Sequence, residues 1–271
     1  MDRMHLDKTR RIVVKVGTSL LTDSDNHVDP AKIKRVATQI AALRKSGREA
    51  ILVTSGAVGI GLGIIGSSNY PKKLDERQAL AAMGQSRLMH MYEDCFRRHG
   101  CAIGQVLLTA EDIHVRERAL NVRHTLNKLF EFKAIPIVNE NDTVSTEELK
   151  TSIGDNDSLS AYVALAADAD LLVILTDTDG LYDKNPKSDP LAKRIALVRG
   201  IDDTIISLAK GTDKITAIGG MQTKISAARM AVEAGIAVVI ASGSDEHTLE
   251  SIIAGKDIGT LFVPSRRKDK I

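Results

Sequence analysis

One pattern constrains this chain before any other: an apolar run that stops at a turn rich in glycine and hydroxyl residues. Ile12-Val13-Val14-Lys15-Val16 runs into Gly17-Thr18-Ser19, Ala50–Val53 into Thr54-Ser55-Gly56-Ala57, and Leu171–Leu175 into Thr176-Asp177. Runs without polar alternation read as strands covered on both faces. Between the first two, Asp29 and Pro30 supply an N-cap and a first helical residue, and Ile33, Val36, Ile40 and Leu43 recur at helical spacing until Gly47. Strand, helix, strand over this distance is a βαβ unit, which predicts a parallel sheet. Ligands of open α/β sheets bind at the carboxyl edge of the strands. Lys15 sits at that edge. Its ammonium either faces an anion held over the sheet or reaches past the edge into water, and this stretch alone leaves both open.

A chain of 271 residues, 43% hydrophobic, suits one large α/β domain or two lobes sharing a sheet. Lys+Arg 37 against Asp+Glu 35 predicts no surface that coats nucleic acid, and 3% aromatics without tryptophan argue against base-stacking platforms. Cys95 and Cys101 form no Cys-x-x-Cys and imply a reducing compartment. Met1–Arg11 is charged and has no apolar signal core, and the uncharged stretch from Ala50 past Gly66 is broken by glycines. The expectation is a soluble cytoplasmic protein with no membrane span.

Gly61-Leu62-Gly63-Ile64-Ile65-Gly66 fits G-x-G-x-x-G, but it does not follow its strand directly, and the region about twenty residues on is helical rather than an acidic strand end. Leu74–Arg98 reads as a helix despite Gly84, with Arg77, Gln78, Arg87 and His90 on a solvated face. Ala102–Leu108 is strand-like. Glu111–Phe130 is helical, its Arg116, Arg118 and Arg123 making a charged face. After strand Ala134–Val138 come two polar clusters, Asn139-Glu140-Asn141-Asp142-Thr143 and Gly154-Asp155-Asn156-Asp157-Ser158. Asp155 or Asp157 could cap a helix Ser158–Ala167. Two such clusters also suit a ligand with an ammonium group, or a metal, although the calcium-loop pattern is not met. A short helix Asp202–Ala209 follows, and Gly219-Gly220-Met221-Gln222-Thr223-Lys224 opens another that ends near Glu233. A cation in a first helical turn is unfavourable unless an anion is present, so Lys224 is a candidate phosphate ligand. Ala237–Ala241 and Leu261–Val263 are further strands, and Ser265–Ile271 is a basic tail. There is no Walker A motif, no G-x-S-x-G and no H-E-x-x-H. Two lysines, glycine turns and acids without a nucleophile form the inventory of a phosphoryl-transfer site.

Lys15-Val16-Gly17-Thr18-Ser19, Val53-Thr54-Ser55-Gly56-Ala57, Gly84-Gln85-Ser86-Arg87-Leu88, Asn139-Glu140-Asn141-Asp142, Gly154-Asp155-Asn156-Asp157, Leu175-Thr176-Asp177 and Gly219–Lys224 occur in that order. Together, from Ile12 to Phe262, they resemble the glutamate 5-kinases of the amino acid kinase superfamily. The resemblance implies one domain over 1–271, a three-layer αβα sandwich around a mainly parallel sheet. It implies an amino-acid half of about 1–168, a nucleotide half of about 169–264 and the tail 265–271. It also implies transfer of the ATP γ-phosphate to the γ-carboxylate of L-glutamate, the first step of proline synthesis. By that resemblance Lys15 and Lys224 hold the transferring phosphate and Asp157 positions them. Ser55, Asp142 and Asn156 bind glutamate, with Asn139 and Gly56 beside them. Lys15, Thr176, Asp177, Gly219, Gly220, Met221, Gln222, Thr223 and Lys224 bind the nucleotide. Mg²⁺ comes on the ATP phosphates rather than in a protein cage, and the N–H groups of Gly17 and Gly56 help neutralise the reacting anions. Proline inhibition and a homodimer or tetramer are further family traits. Two departures stand out: Ala217-Ile218 replaces a common Gly-Thr pair, and the sequence stops soon after Val263, short of the C-terminal PUA domain of many bacterial members, which is either naturally missing or truncated. Other readings are a kinase of the same fold acting on N-acetylglutamate, aspartate or UMP, a non-catalytic sensor of proline or nucleotide, and an oxidoreductase resting on the glycines of 61–66 alone.

Overall fold

Strand β1 (Arg11–Val16) pairs in parallel with β2 (Glu49–Val53) on one side and β5 (Leu171–Thr176) on the other, so it is central and five of its six residues are buried. The computed structural model describes residues 3–145, 156–186, 188–210 and 220–264. Around β1, the strands β3 (Ile103–Leu108), β4 (Ile135–Glu140), β6 (Leu197–Val198), β7 (Ala237–Ser242) and β8 (Thr260–Phe262) complete an eight-stranded sheet in the order β3-β4-β2-β1-β5-β7-β8-β6. Every neighbouring pair is parallel except β7 and β8.

The helices are α1 (Pro30–Lys45), α2 (Ala57–Ile65), α3 (Leu74–Arg98), α4 (Ala110–His114), α5 (Arg116–Glu131), α6 (Asn156–Ala166), α7 (Asp203–Lys210), α8 (Met221–Glu233) and α9 (Thr248–Ile253). Asp29 caps α1 as its side chain predicts, accepting from the Ala31 N–H at 2.8 Å. Side chains alternate across a strand, and β1 sorts accordingly. Ile12, Val14 and Val16 join a core with α1, α3 and α9, whereas Val13 joins the opposite core with α5, α6 and α8. Lys15 shares the parity of Val13 and therefore emerges on the α6–α8 side. The helices thus form two layers on the sheet, the expected αβα sandwich.

Of the glycines of 61–66, Gly61 and Gly63 lie inside α2 and Gly66 ends it at φ +67°. Gly61 serves packing, since a Cβ there would stand 2.2 Å from the Leu80 carbonyl oxygen of α3. A Cβ on Gly84 would stand 1.9 Å from the Ala57 carbonyl oxygen of α2. The two backbones touch, which also explains a glycine in the middle of a 25-residue helix.

Several expectations are corrected. Helix 111–130 is broken at Val115, whose extended backbone separates α4 from α5. β4 runs through Asn139 and Glu140, which pair with Leu107 and Leu108 instead of starting a loop. β6, α9 and the 3-10 turn Arg3–Lys8 were not anticipated. That turn is held because the Arg3 guanidinium donates to the carbonyls of Ala196, Ile258 and Gly259, and Leu6 is fully buried. None of the described helices is long and apolar enough to cross a membrane.

Candidate active site

At the carboxyl edge, β1 delivers Lys15, the first turn of α6 delivers Asp157, and the first turn of α8 delivers Lys224. Lys15 Nζ lies 2.5 Å from Asp157 Oδ1, and Lys224 Nζ lies 3.1 Å from Asp157 Oδ2. All three side chains are buried, Asp157 completely. Both ammonium groups pair with the one carboxylate, and an ammonium at this depth is costly unless it is paired. Asp157 is therefore the resident anion for the first-turn lysine, and it sits inside α6 rather than capping it. Asp155 lies outside the described residues. Thr223 completes the knot: its hydroxyl donates to Asp157 Oδ2 at 2.7 Å and lies 2.8 Å from the Gly220 carbonyl.

Beside this triad opens a cavity of about 140 Å³. Ser55, Gly56, Asn139, Asp142 and Asn156 all line it, so the five residues expected to bind the acceptor are brought together. Gly56, at φ +104°, turns β2 into α2, a backbone other residues adopt only under strain. Asn156 Nδ2 knits three segments, lying 2.6 Å from the Thr54 carbonyl, 2.8 Å from Ser55 Oγ and 3.1 Å from Asn139 Oδ1. Asn139 in turn donates from Nδ2 to Gln85 Oε1 at 2.8 Å. The turn after β2 is anchored from below by a 2.8 Å hydrogen bond between Thr54 Oγ1 and the fully buried Tyr92 hydroxyl, whose pKa burial raises far above the usual phenol value.

The cavity also exposes residues that sequence reasoning missed: Thr18, Tyr70, Arg77 and Glu140. Arg77 and Gln78 do not belong to a solvated face. Both are half-buried, and Gln78 Nε2 donates to the Ser145 carbonyl at 2.9 Å, whereas Arg87 and His90 are exposed as expected. A signal was present: Arg77 shares a helical stripe with Ala81, Gly84 and Leu88, all buried. The Tyr70 phenol is raised by burial and by the Asp142 carboxylate, with Arg77 pulling the other way.

On the nucleotide side, Thr176 ends β5 buried and donates to Asp177 Oδ1 at 3.1 Å, while Asp177 is exposed. Gly220 caps α8 with extended backbone, Met221 is buried and Gln222 is exposed. Gly219, with Ala217-Ile218, lies outside the described residues. The Gly17 N–H is not aimed at a ligand as expected: it donates to the Leu175 carbonyl at 3.3 Å and extends the sheet. Among the described residues no three His, Cys, Asp or Glu side chains group around a possible metal position.

A parallel sheet whose carboxyl edge carries a buried lysine pair, with a small polar cavity on one side and a glycine-led helix on the other, defines a phosphotransferase of the α/β type. The sequence model of the amino acid kinase family matches residues 10–242. The chain is 46% identical to a glutamate 5-kinase of Moorella thermoacetica, over 98% of this chain and 70% of that one. It is 44% identical to a glutamate 5-kinase of Methanosarcina barkeri, over 98% and 71%. Among solved structures it resembles the UMP kinase of Bacillus anthracis, with a TM-score of 0.63 at 15% identity over 95% of this chain and 97% of that one. It also resembles the carbamate kinase of Giardia lamblia bound to AMP-PNP, with a TM-score of 0.63 at 16% identity over 95% and 99%. The chain belongs to the amino acid kinase family, and within it to the glutamate 5-kinases.

Proposed function

We propose that this chain transfers the γ-phosphoryl group of ATP to the γ-carboxylate of L-glutamate, giving ADP and L-glutamyl 5-phosphate, the first step of proline synthesis. The observation that carries the proposal is the buried Lys15–Asp157–Lys224 triad opening beside a polar cavity sized for a small acceptor. The acceptor carboxylate is ionised at neutral pH, since its reference pKa is about 4.3, so it needs no general base. The obstacle is electrostatic, because one anion must approach another. Preorganised cations in a water-poor site offset that repulsion and stabilise the charge of the transition state. Lys15 and Lys224 take that role. Asp157 and Thr223 fix their positions, so the lysines need not reorganise as charge moves to the leaving oxygen.

Ser55, Asn156 and Asp142 orient glutamate, Asp142 facing its ammonium. Thr176, Asp177 and the turn at 219–224 face the nucleotide, which divides the domain near residue 168 into an acceptor half and a nucleotide half. Asp177 is an exposed carboxylate on the nucleotide side, which suits Mg²⁺ carried on the ATP phosphates. Bound there, the ion supplies further charge neutralisation. Proline as a feedback inhibitor and a homodimer or tetramer belong to the same reading. Proline titration in the assay below and sedimentation of the purified chain test them.

The test is hydroxamate formation from Mg-ATP and hydroxylamine with L-glutamate, run beside N-acetyl-L-glutamate, L-aspartate and UMP. Hydroxamate with L-glutamate in preference to the other two acids, and no ADP release with UMP, is the expected result. Preference for another acceptor overturns the glutamate assignment.

A further inference from the structure

L-Glutamate brings three charges into this site, and the lysine pair accounts for one. With its γ-carboxylate at Lys15 and Lys224, the α-ammonium and α-carboxylate must both be matched inside the cavity. The ammonium has two carboxylates on the cavity wall, Asp142 and Glu140. The α-carboxylate has one cation on that wall among the described residues, Arg77.

Arg77 is placed there by a rigid path. It lies in the first turn of α3, and one turn further on the Leu80 backbone rests against Gly61 of α2 with no room for a side chain between. α2 begins at Gly56, which lines the same cavity. The adjacent Gln78 ties α3 to the loop after β4 through the Ser145 carbonyl, and the Ser145 N–H returns to the Asp142 carbonyl at 3.3 Å. Arg77 and Asp142 are therefore carried by two segments that are bonded together, and put one charge of each sign on the cavity wall. The Tyr70 phenol registers both, since the Asp142 carboxylate and the Arg77 guanidinium act on it in opposite directions.

We propose that Arg77 is a specificity-determining residue that receives the α-carboxylate of the acceptor opposite Asp142, so that the site selects amino acids carrying both α-charges. A guanidinium is suited to this because its planar fork matches a carboxylate bidentately. The proposal rests on the glutamate kinase reading. A competing structural role, in which Arg77 only balances the charge of Asp142, predicts something different: every acceptor would suffer alike when Arg77 is removed.

Two analogues separate the possibilities. 4-Aminobutyrate is L-glutamate without its α-carboxylate, and glutarate is L-glutamate without its α-ammonium. In the hydroxamate assay, Arg77→Met should lower kcat/KM for L-glutamate and for glutarate on the order of 10²-fold or more, since sites built to pair a polar group discriminate strongly against its loss. For 4-aminobutyrate the same variant should stay within about 3-fold of the native enzyme, because the analogue lacks the group whose pairing is removed. Where 4-aminobutyrate turns over too slowly, its Ki against L-glutamate gives the same comparison. Arg77→Lys should recover part of the L-glutamate activity, and the KM for ATP should not move. A uniform loss across all three acceptors, or an unchanged KM for L-glutamate in Arg77→Met, overturns the proposal. A native enzyme that makes no hydroxamate from L-glutamate overturns the parent reading instead, so the two failures are distinguishable.

Discussion

Asp157 and Asp257 each receive two cationic side chains. Asp157 takes Lys15 and Lys224 in complete burial, whereas Asp257 takes Arg3 at 3.3 Å and Arg194 at 3.0 Å while its side chain is 64% exposed. The stoichiometry is the same and the surroundings are not. Around Asp257 the arginines also donate to backbone carbonyls, among them Gly259 and Ala196, so the cluster staples the N-terminal turn to the β7–β8 connection. Water screens its charge, and a surplus cation there demands nothing. Around Asp157 the two ammonium groups are buried at the carboxyl edge of the sheet, where little water screens them and an incoming anion feels them strongly. Burial turns an ordinary ion cluster into a site.

Removing each carboxylate charge tests the contrast. Asp157→Asn leaves two buried ammonium groups without their shared counter-charge and should cost about 3–5 kcal/mol. Urea unfolding measures it, and a loss below 1 kcal/mol would mean that water reaches the site. Thr223→Val removes the hydroxyl from the same carboxylate oxygen and should cost about 1.5–3 kcal/mol, a hydrogen bond to a charged group, with Thr223→Ser recovering most of it. An equal loss in both variants would assign the effect to packing.

Asp112 lies between these extremes. It accepts from the Thr109 N–H and hydroxyl, each at 2.8 Å, and pairs with Arg118 at 3.2 Å. Burial alone would raise its pKa, but these donors hold it below the usual carboxylate value. A carboxyl with a depressed folded-state pKa contributes stability above its unfolded pKa, and that contribution is lost as pH falls through the folded one. Asp112→Asn should therefore cost about 1 kcal/mol at neutral pH, as a lost cap does, and the difference from the native chain should vanish in acid. A difference independent of pH would refute the assignment. Asp257→Asn should cost about 0–1 kcal/mol and nothing at high salt. A larger, salt-insensitive loss would erase the contrast between the two clusters.

Local chemistry was the legible part of this fold. The Asp29-Pro30 start of α1, the bounds of α3 and the central position of β1 could be read because caps, periodicity and uninterrupted apolar runs act within a few residues. Strand direction and contact between helices do not. Nothing within Thr260–Phe262 specifies that β8 runs against β7, and Gly84 cannot declare that the Ala57 carbonyl fills the place of its side chain. The site divides the same way. Lys15 and Lys224 announced themselves by standing where a cation is unfavourable, at a strand end and in a first helical turn. Their meeting on Asp157, across 142 and 67 positions of sequence, came from the family resemblance. Arg77 was assigned to a solvated face because helical periodicity marks the buried stripe without showing whether a polar residue on it meets water or a cavity.

The most direct measurement is kcat for hydroxamate formation from L-glutamate in native protein and in Lys224→Ala, with folding verified by circular dichroism. If the buried lysine pair stabilises the transferring phosphoryl group, kcat falls on the order of 10²-fold or more, the loss typical of one preorganised donor. A folded variant that turns over L-glutamate at the native kcat would contradict the account at its centre.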